Sequence, residues 1–170
     1  SRYMTIEVEL LVANWRKSFA DLGGCKGHNY IVHHAHSAGS ELTLQALTYL
    51  SDEEKLHLIV FSYGAEGMIP ADACALAINY VHSGDLVPHA KEQRQSDYVI
   101  AAINKQPTPG YNIKVVDDGS RAPKGRRHLG RVYELWNHMS DCHPLKEGYL
   151  SGILDSQSEL KAWMTQREII

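Results

Sequence analysis

Apolar positions along the chain change their period at regular intervals. In TIEVELLVANWRKSFADLGG, Val8, Val12, Trp15 and Phe19 recur at helical spacing and Gly23 and Gly24 supply a stop, which predicts a helix over about residues 5–22. NYIVHHA (29–35) is a short β-prone run, and GSELTLQALTYL (39–50) returns to helical spacing through Leu44, Leu47 and Leu50. After the charged stop SDEEK, a second strand is predicted in LHLIVFSYG (56–64). A loop carrying Gly64, Gly67 and Pro70 leads to a third strand in CALAINYVH (74–82) and to the turn SGDLVP. KEQRQSDYVIAAINK (91–105) reads as a helix, cut off by PTPG before a strand in YNIKVVDD (111–118). The final segment DSQSELKAWMTQREII opens with Ser156 three residues before Glu159, a capping-box pattern that predicts a terminal helix starting there. Strands that alternate with helices and are apolar on both faces predict an α/β protein: a mostly parallel sheet with helices on both faces, in one domain over residues 1–170.

Composition narrows the functional classes. With 170 residues and 44% apolar content the chain can bury a substantial core. A net charge of −3 gives no global attraction to nucleic acid or to an anionic membrane. The basic stretch GSRAPKGRRHLGR (119–131) reads first as a solvated loop and second as a seat for an anionic ligand or lipid headgroup. Three cysteines, Cys25, Cys74 and Cys142, without CxxC spacing, point away from a disulfide framework and toward the cytoplasm or another reducing compartment. No apolar run reaches the roughly 20 residues of a membrane-spanning helix, and the start of the chain lacks a signal-peptide layout. Nothing in the pattern marks an oligomeric state.

Chemistry concentrates where the first strand gives way to a helix. In AHSAG (35–39), Ser37 stands between Ala35 and Gly39, small residues two positions away on either side. A nucleophile on a tight strand-to-helix turn is held in a strained backbone conformation, and small flanking residues allow the two segments to approach. The same turn puts Ser37 at a helix start, where the NH of Ala38 and the positive end of the helix dipole are placed to stabilise an oxyanion. The plainer reading is that Ser37 only caps the helix.

AHSAG resembles the GxSxG nucleophile elbow of the α/β-hydrolases, with alanine in the first small position, and in that superfamily an acid and then a histidine follow the serine on later loops. In NYVHSGDLVPH, an aspartate followed by a hydrophobe, Val and Pro after a strand is similar to the acid loop of lipase and esterase-type members, the class 3 lipases in particular. Elbow and GDLVP together also resemble an uncharacterised chlamydial family with a hydrolase-like HSxG elbow. The resemblance implies a Ser-Asp-His triad of Ser37, Asp85 and His143, the last in SDCHPLKEGYL after the strand at 111–118. Tyr149 would be the tyrosine that commonly follows the base histidine in lipase-like relatives, at a wider spacing than usual, and His138 in WNHMSD is the other histidine placed for the role. Histidine is suited to it because its pKa lies near neutrality, so it can take the serine proton and return it to the leaving group. The implied activity is hydrolysis of an ester or related acyl bond in a small molecule or lipid, with no cofactor.

The pattern departs from a complete hydrolase in one respect. Only 36 residues precede Ser37, and before its own strand they read as one helix, whereas such folds place several strands ahead of the elbow and draw a second oxyanion donor from a loop among them. The chain is expected to be the C-terminal part of a longer hydrolase fold or to have a sheet of about four strands. Two further functions stay open: a hydrolase-shaped binding module that is weakly active or inactive, and a His-rich metal protein, since His34 and His36 have the i, i+2 spacing by which a strand presents two ligands. Short of that metal role, His33, His34, His36, His82 and His89 are expected to act locally, and the segment at Tyr98–Ile100 to be a packing helix. Cys25 and Cys74 read as core or loop residues, and Cys142, beside His143, lacks a helix start to activate it.

Overall fold

The computed structural model describes residues 4–90, 92–116 and 149–169. Among them the sheet has four strands, β1 (Ile31–His36), β2 (Leu58–Tyr63), β3 (Leu76–Val81) and β4 (Ile113–Val115), paired in the order β1-β2-β3-β4 and parallel throughout. Helices cover both faces, as the alternation predicts. They are α1 (Ile6–Asp21), α2 (Ala38–Leu47), α3 (Asp52–Leu56), α4 (Val87–Ala90), α5 (Gln93–Ile103) and α6 (Leu150–Gln166).

Strand alternation divides the core in two. Leu58, Val60 and Ala77 point to the face where α1 and α2 pack, among Val8, Val12, Trp15, Phe19, Ala46 and Leu47. Ile59, Phe61, Tyr63, Ile78 and Tyr80 point to the opposite face, toward Tyr149 and Trp163 at the two ends of α6. Every residue of β2 is buried. A smaller cluster of Ala65, Met68, Val81 and Val99 seats α5, so residues 98–100 are part of a packing helix, with Val99 buried and Ile100 exposed.

Helix α1 begins at Thr5, whose hydroxyl accepts from Val8 N at 3.4 Å. It ends where Gly24 N reaches back to Phe19 O at 2.8 Å, with Gly23 and Gly24 at φ 89° and 100°, values that favour glycine. Two elements differ from the sequence reading. The charged stop SDEEK is itself the short helix α3, because Ser51 and Glu54 form a reciprocal capping box. The terminal helix starts at Leu150, so Ser156 is not a cap: it lies in the helix interior, buried, with its hydroxyl donating to Ile153 O at 2.7 Å. Continuous packing against the sheet carries α6 through the point where the local pattern signals a start. At Gly152 the helix comes so close that an added Cβ would stand 2.9 Å from Val116 Cγ1 and 3.0 Å from Tyr80 Cδ1. Lys114 on β4 meets Asp155 at 2.9 Å and also meets Glu159, and Tyr80 OH donates to the same Asp155, which pins α6 to the sheet.

The β2–β3 crossover, residues 64–75, contains no helix and depends on one buried side chain. Asn79 on β3 accepts from Ile69 N (2.9 Å) and Ser62 Oγ (2.7 Å) and donates to Ile69 O (2.9 Å). An otherwise irregular loop is thus fixed against the sheet by groups with no access to water.

Candidate active site at the carboxyl edge of the sheet

Parallel pairing sets the carboxyl ends of all four strands on one edge. The register His36↔Tyr63 and Tyr63↔Tyr80 puts the residues that follow β1 and β3 at neighbouring levels there. Ser37 follows β1 directly and Asp85 lies four residues past the end of β3.

Ser37 has φ 55° and ψ −126°, the dihedral pair of the first central position of a type II′ turn, a conformation that ordinarily takes glycine. The surroundings over-determine it. Ser37 N donates to Tyr63 O (3.1 Å), while its carbonyl accepts from Ser40 N (3.1 Å), Ser40 Oγ (2.6 Å) and Glu66 N (3.3 Å). Ser40 is fully buried and its hydroxyl also accepts from Gly67 N at 3.2 Å, which ties the elbow to the β2–β3 crossover. Ser37 occupies the cap position of α2 yet makes no side-chain cap hydrogen bond, so the plain capping reading does not hold. Ala38 is the first residue of α2, and its NH is one of the donors a helix start leaves without an intrahelical acceptor. Of the two small flanking residues, Ala35 is buried. Gly39 is a correction: a Cβ there would meet nothing within 4 Å among the described residues, so contact with them does not demand glycine.

Asp85 is fully buried. Its Oδ1 accepts from Val87 N at 2.9 Å and its Oδ2 from Tyr149 OH at 2.6 Å, and its own NH closes a turn onto His82 O. Tyr149, also fully buried, brings the two halves of the site together: its ring stands edge-on to His36, the neighbour of Ser37, at 6.3 Å, while its hydroxyl holds Asp85. Gln95 on α5 forms a second link. Its Nε2 donates to Ala65 O, Glu66 O and Pro88 O and its Oε1 accepts from Met68 N, which joins the crossover behind the elbow to the turn behind Asp85. Nothing in the sequence signals Ser40 or Gln95, and the resemblance that singles out Tyr149 as the tyrosine after the base histidine does not signal its bond to Asp85, since each acts through tertiary contacts.

His143, His138 and Cys142 lie outside the described residues, as does the basic stretch at 119–131. The other histidines are local. His33 packs against Trp15 and bonds Thr43 Oγ1 at 3.0 Å; because that hydroxyl gives its proton to Gly39 O, His33 Nε2 is the donor, and burial pushes the ring's pKa down to about 4. His34 stacks on Tyr63 and pairs its Nδ1 with the tyrosine hydroxyl at 3.0 Å. Among the described residues no three His, Cys, Asp or Glu side chains gather closely enough to hold a metal ion. His82 follows β3, and its Nδ1 accepts from Gly84 N at 3.0 Å within the Asp85 turn. His89 is kept below its usual pKa by burial, opposed by the negative charge of Asp85, and bonds Ser96 Oγ at 2.9 Å. Burial holds the Cys74 thiol at about 11 and also raises that of Cys25, so both stay protonated and are poor nucleophiles.

A groove of about 470 Å³ runs elsewhere, between β4 and α6, lined by Ile78, Asn112, Lys114, Glu159 and Trp163. Lys114 there is already paired with two carboxylates, and the Thr108 hydroxyl donates to Tyr111 O. No helix among the described residues is long and apolar enough to cross a membrane. Compared with protein-family models, with curated proteins and with solved structures, the chain matches none.

Proposed function

We propose that the protein is a serine hydrolase of the α/β-hydrolase type that cleaves an ester or related acyl bond. Ser37 attacks the carbonyl carbon, His143 takes the hydroxyl proton and delivers it to the leaving group, and Asp85 orients the imidazole and stabilises its charged form. The Ala38 NH donates to the developing oxyanion. Water then attacks the acyl-enzyme by the same proton route in reverse and frees the acid. The observation that carries this reading is the backbone of Ser37: a non-glycine residue at φ 55°, ψ −126°, clamped by three donors on its carbonyl, on the turn where a parallel strand enters a helix. Strain of this kind costs about 1–3 kcal/mol and persists where the surroundings hold it for a purpose. The second support is a buried carboxylate at the same edge of the sheet, in the turn that follows β3, a strand two spacings, about 10 Å, from β1. The substrate class this favours is a small-molecule or lipid ester.

One observation favours the binding-module alternative: β1, the elbow strand, is an edge strand in the sheet of the described residues, where a complete hydrolase flanks it with further strands. Turnover of short-chain p-nitrophenyl esters separates the two. Hydrolysis by the wild type that disappears in Ser37→Ala and falls at least about 100-fold in Asp85→Asn supports the enzyme. Folded wild-type protein with no turnover above that of Ser37→Ala supports the module.

A further inference from the structure

The triad reading gives the carboxylate an orienting role and leaves open what orients the carboxylate. We propose that Tyr149 is a positioning residue for Asp85, acting through it on the base histidine; this rests on the serine hydrolase reading above. Asp85 has no exposure to water, so each of its oxygens needs a protein donor, and the orientation of the carboxyl plane is set by where those donors stand. Val87 N supplies one, at 2.9 Å on Oδ1, from the same turn. Tyr149 OH supplies another, at 2.6 Å on Oδ2, from 64 residues away.

The proton of that hydroxyl has a defined direction. His82 N–H donates to the phenol oxygen at 3.1 Å and occupies an acceptor position on it, and the phenol proton is directed at the carboxylate. The ring is itself fixed, edge-on to Tyr63 at 6.2 Å and to His82 at 6.4 Å. Tyr149 immediately precedes α6, which the Lys114 ion pairs and the packing of Gly152 on Tyr80 hold against the sheet. The docking of the last helix is therefore transmitted through the Tyr149 hydroxyl to Asp85, the proposed acid. A tyrosine suits this position because it reaches the buried oxygen across an apolar ring and donates without a positive charge, whereas a cationic donor would compete with the imidazolium for the same carboxylate.

Tyr149→Phe removes one hydroxyl and keeps the ring, and near-UV circular dichroism checks that the packing survives. The assay is the rate of covalent labelling by a small fluorophosphonate, measured against probe concentration. The expected result is a maximal labelling rate about 10-fold lower, the effect of losing one hydrogen bond to a charged group, with the half-saturating probe concentration unchanged. In the Asp85→Asn background the same substitution should add less than about 2-fold, because both changes interrupt one chain of contacts. A maximal rate within about 2-fold of wild type, or losses that multiply independently in the double variant, overturns the positioning role. Absence of labelling in the wild type is a separate outcome, and it removes the hydrolase reading on which the role depends.

Discussion

Replacing Ser37 with glycine removes the hydroxyl, the Cβ and the backbone strain together, whereas replacing it with alanine removes only the hydroxyl. The difference between the two variants isolates the strain. Holding a residue with a Cβ at φ 55°, ψ −126° costs about 1–3 kcal/mol, and glycine loses about 0.5–1 kcal/mol more than alanine through its wider freedom in the unfolded chain. Ser37→Gly should therefore be more stable than Ser37→Ala by about 0.5–2 kcal/mol. Both variants lose whatever the hydroxyl contacts, so that contribution cancels. Urea unfolding followed by far-UV circular dichroism reads the difference as a shift in midpoint at constant slope. At a slope of about 2 kcal/mol per molar, the shift is about 0.3–1 M. Equal midpoints, or alanine above glycine, would mean that position 37 is relaxed in solution and that the argument from strain to function is wrong.

Other parts of the structure give independent tests. Gly152→Ala should destabilise by about 1–3 kcal/mol in the same assay, because its Cβ would press on the buried Tyr80 ring and on Val116. Ser40→Ala removes a buried hydroxyl that donates to Ser37 O and accepts from Gly67 N; a loss of about 2–3 kcal/mol in stability is expected, together with slower fluorophosphonate labelling as the elbow relaxes. His33 binds its proton less readily in the fold, at a pKa of about 4, than in the unfolded chain, near 6.5. Its contribution is therefore complete above about pH 6.5 and is lost as pH falls toward 4, by on the order of 3 kcal/mol. His33→Gln should remove that part of the acid destabilisation in unfolding midpoints taken at pH 7 and pH 4.5.

Much of the architecture was legible because its signals are local. The helical period of Val8, Val12, Trp15 and Phe19 and the glycine pair after them describe α1 to within a residue or so at each end, and the uninterrupted apolar run of β2 marks a strand buried on both faces. Ser37 was legible as a candidate for the same reason, since small residues around a serine between a strand and a helix are read directly from neighbouring positions. Reading failed where a local pattern competed with tertiary packing. Ser156 and Glu159 have cap spacing, yet the contacts of α6 with the sheet extend the helix six residues ahead of Ser156, to Leu150. SDEEK looks like a break but carries its own capping box and turns into α3. The support behind the site was invisible for a different reason. Ser40, Gln95 and Tyr149 each bond groups distant in sequence, and no period or spacing in one chain encodes that Tyr149 will meet Asp85 across 64 positions.

The proposed chemistry requires above all that Ser37 be a nucleophile held ready to react. Incubating the folded protein with a fluorophosphonate and locating the adduct by peptide mass spectrometry tests that directly. The prediction is one adduct per chain, on Ser37, formed by the wild type and lost in Ser37→Ala. An unlabelled wild type, or an adduct on another residue that persists in Ser37→Ala, would contradict it.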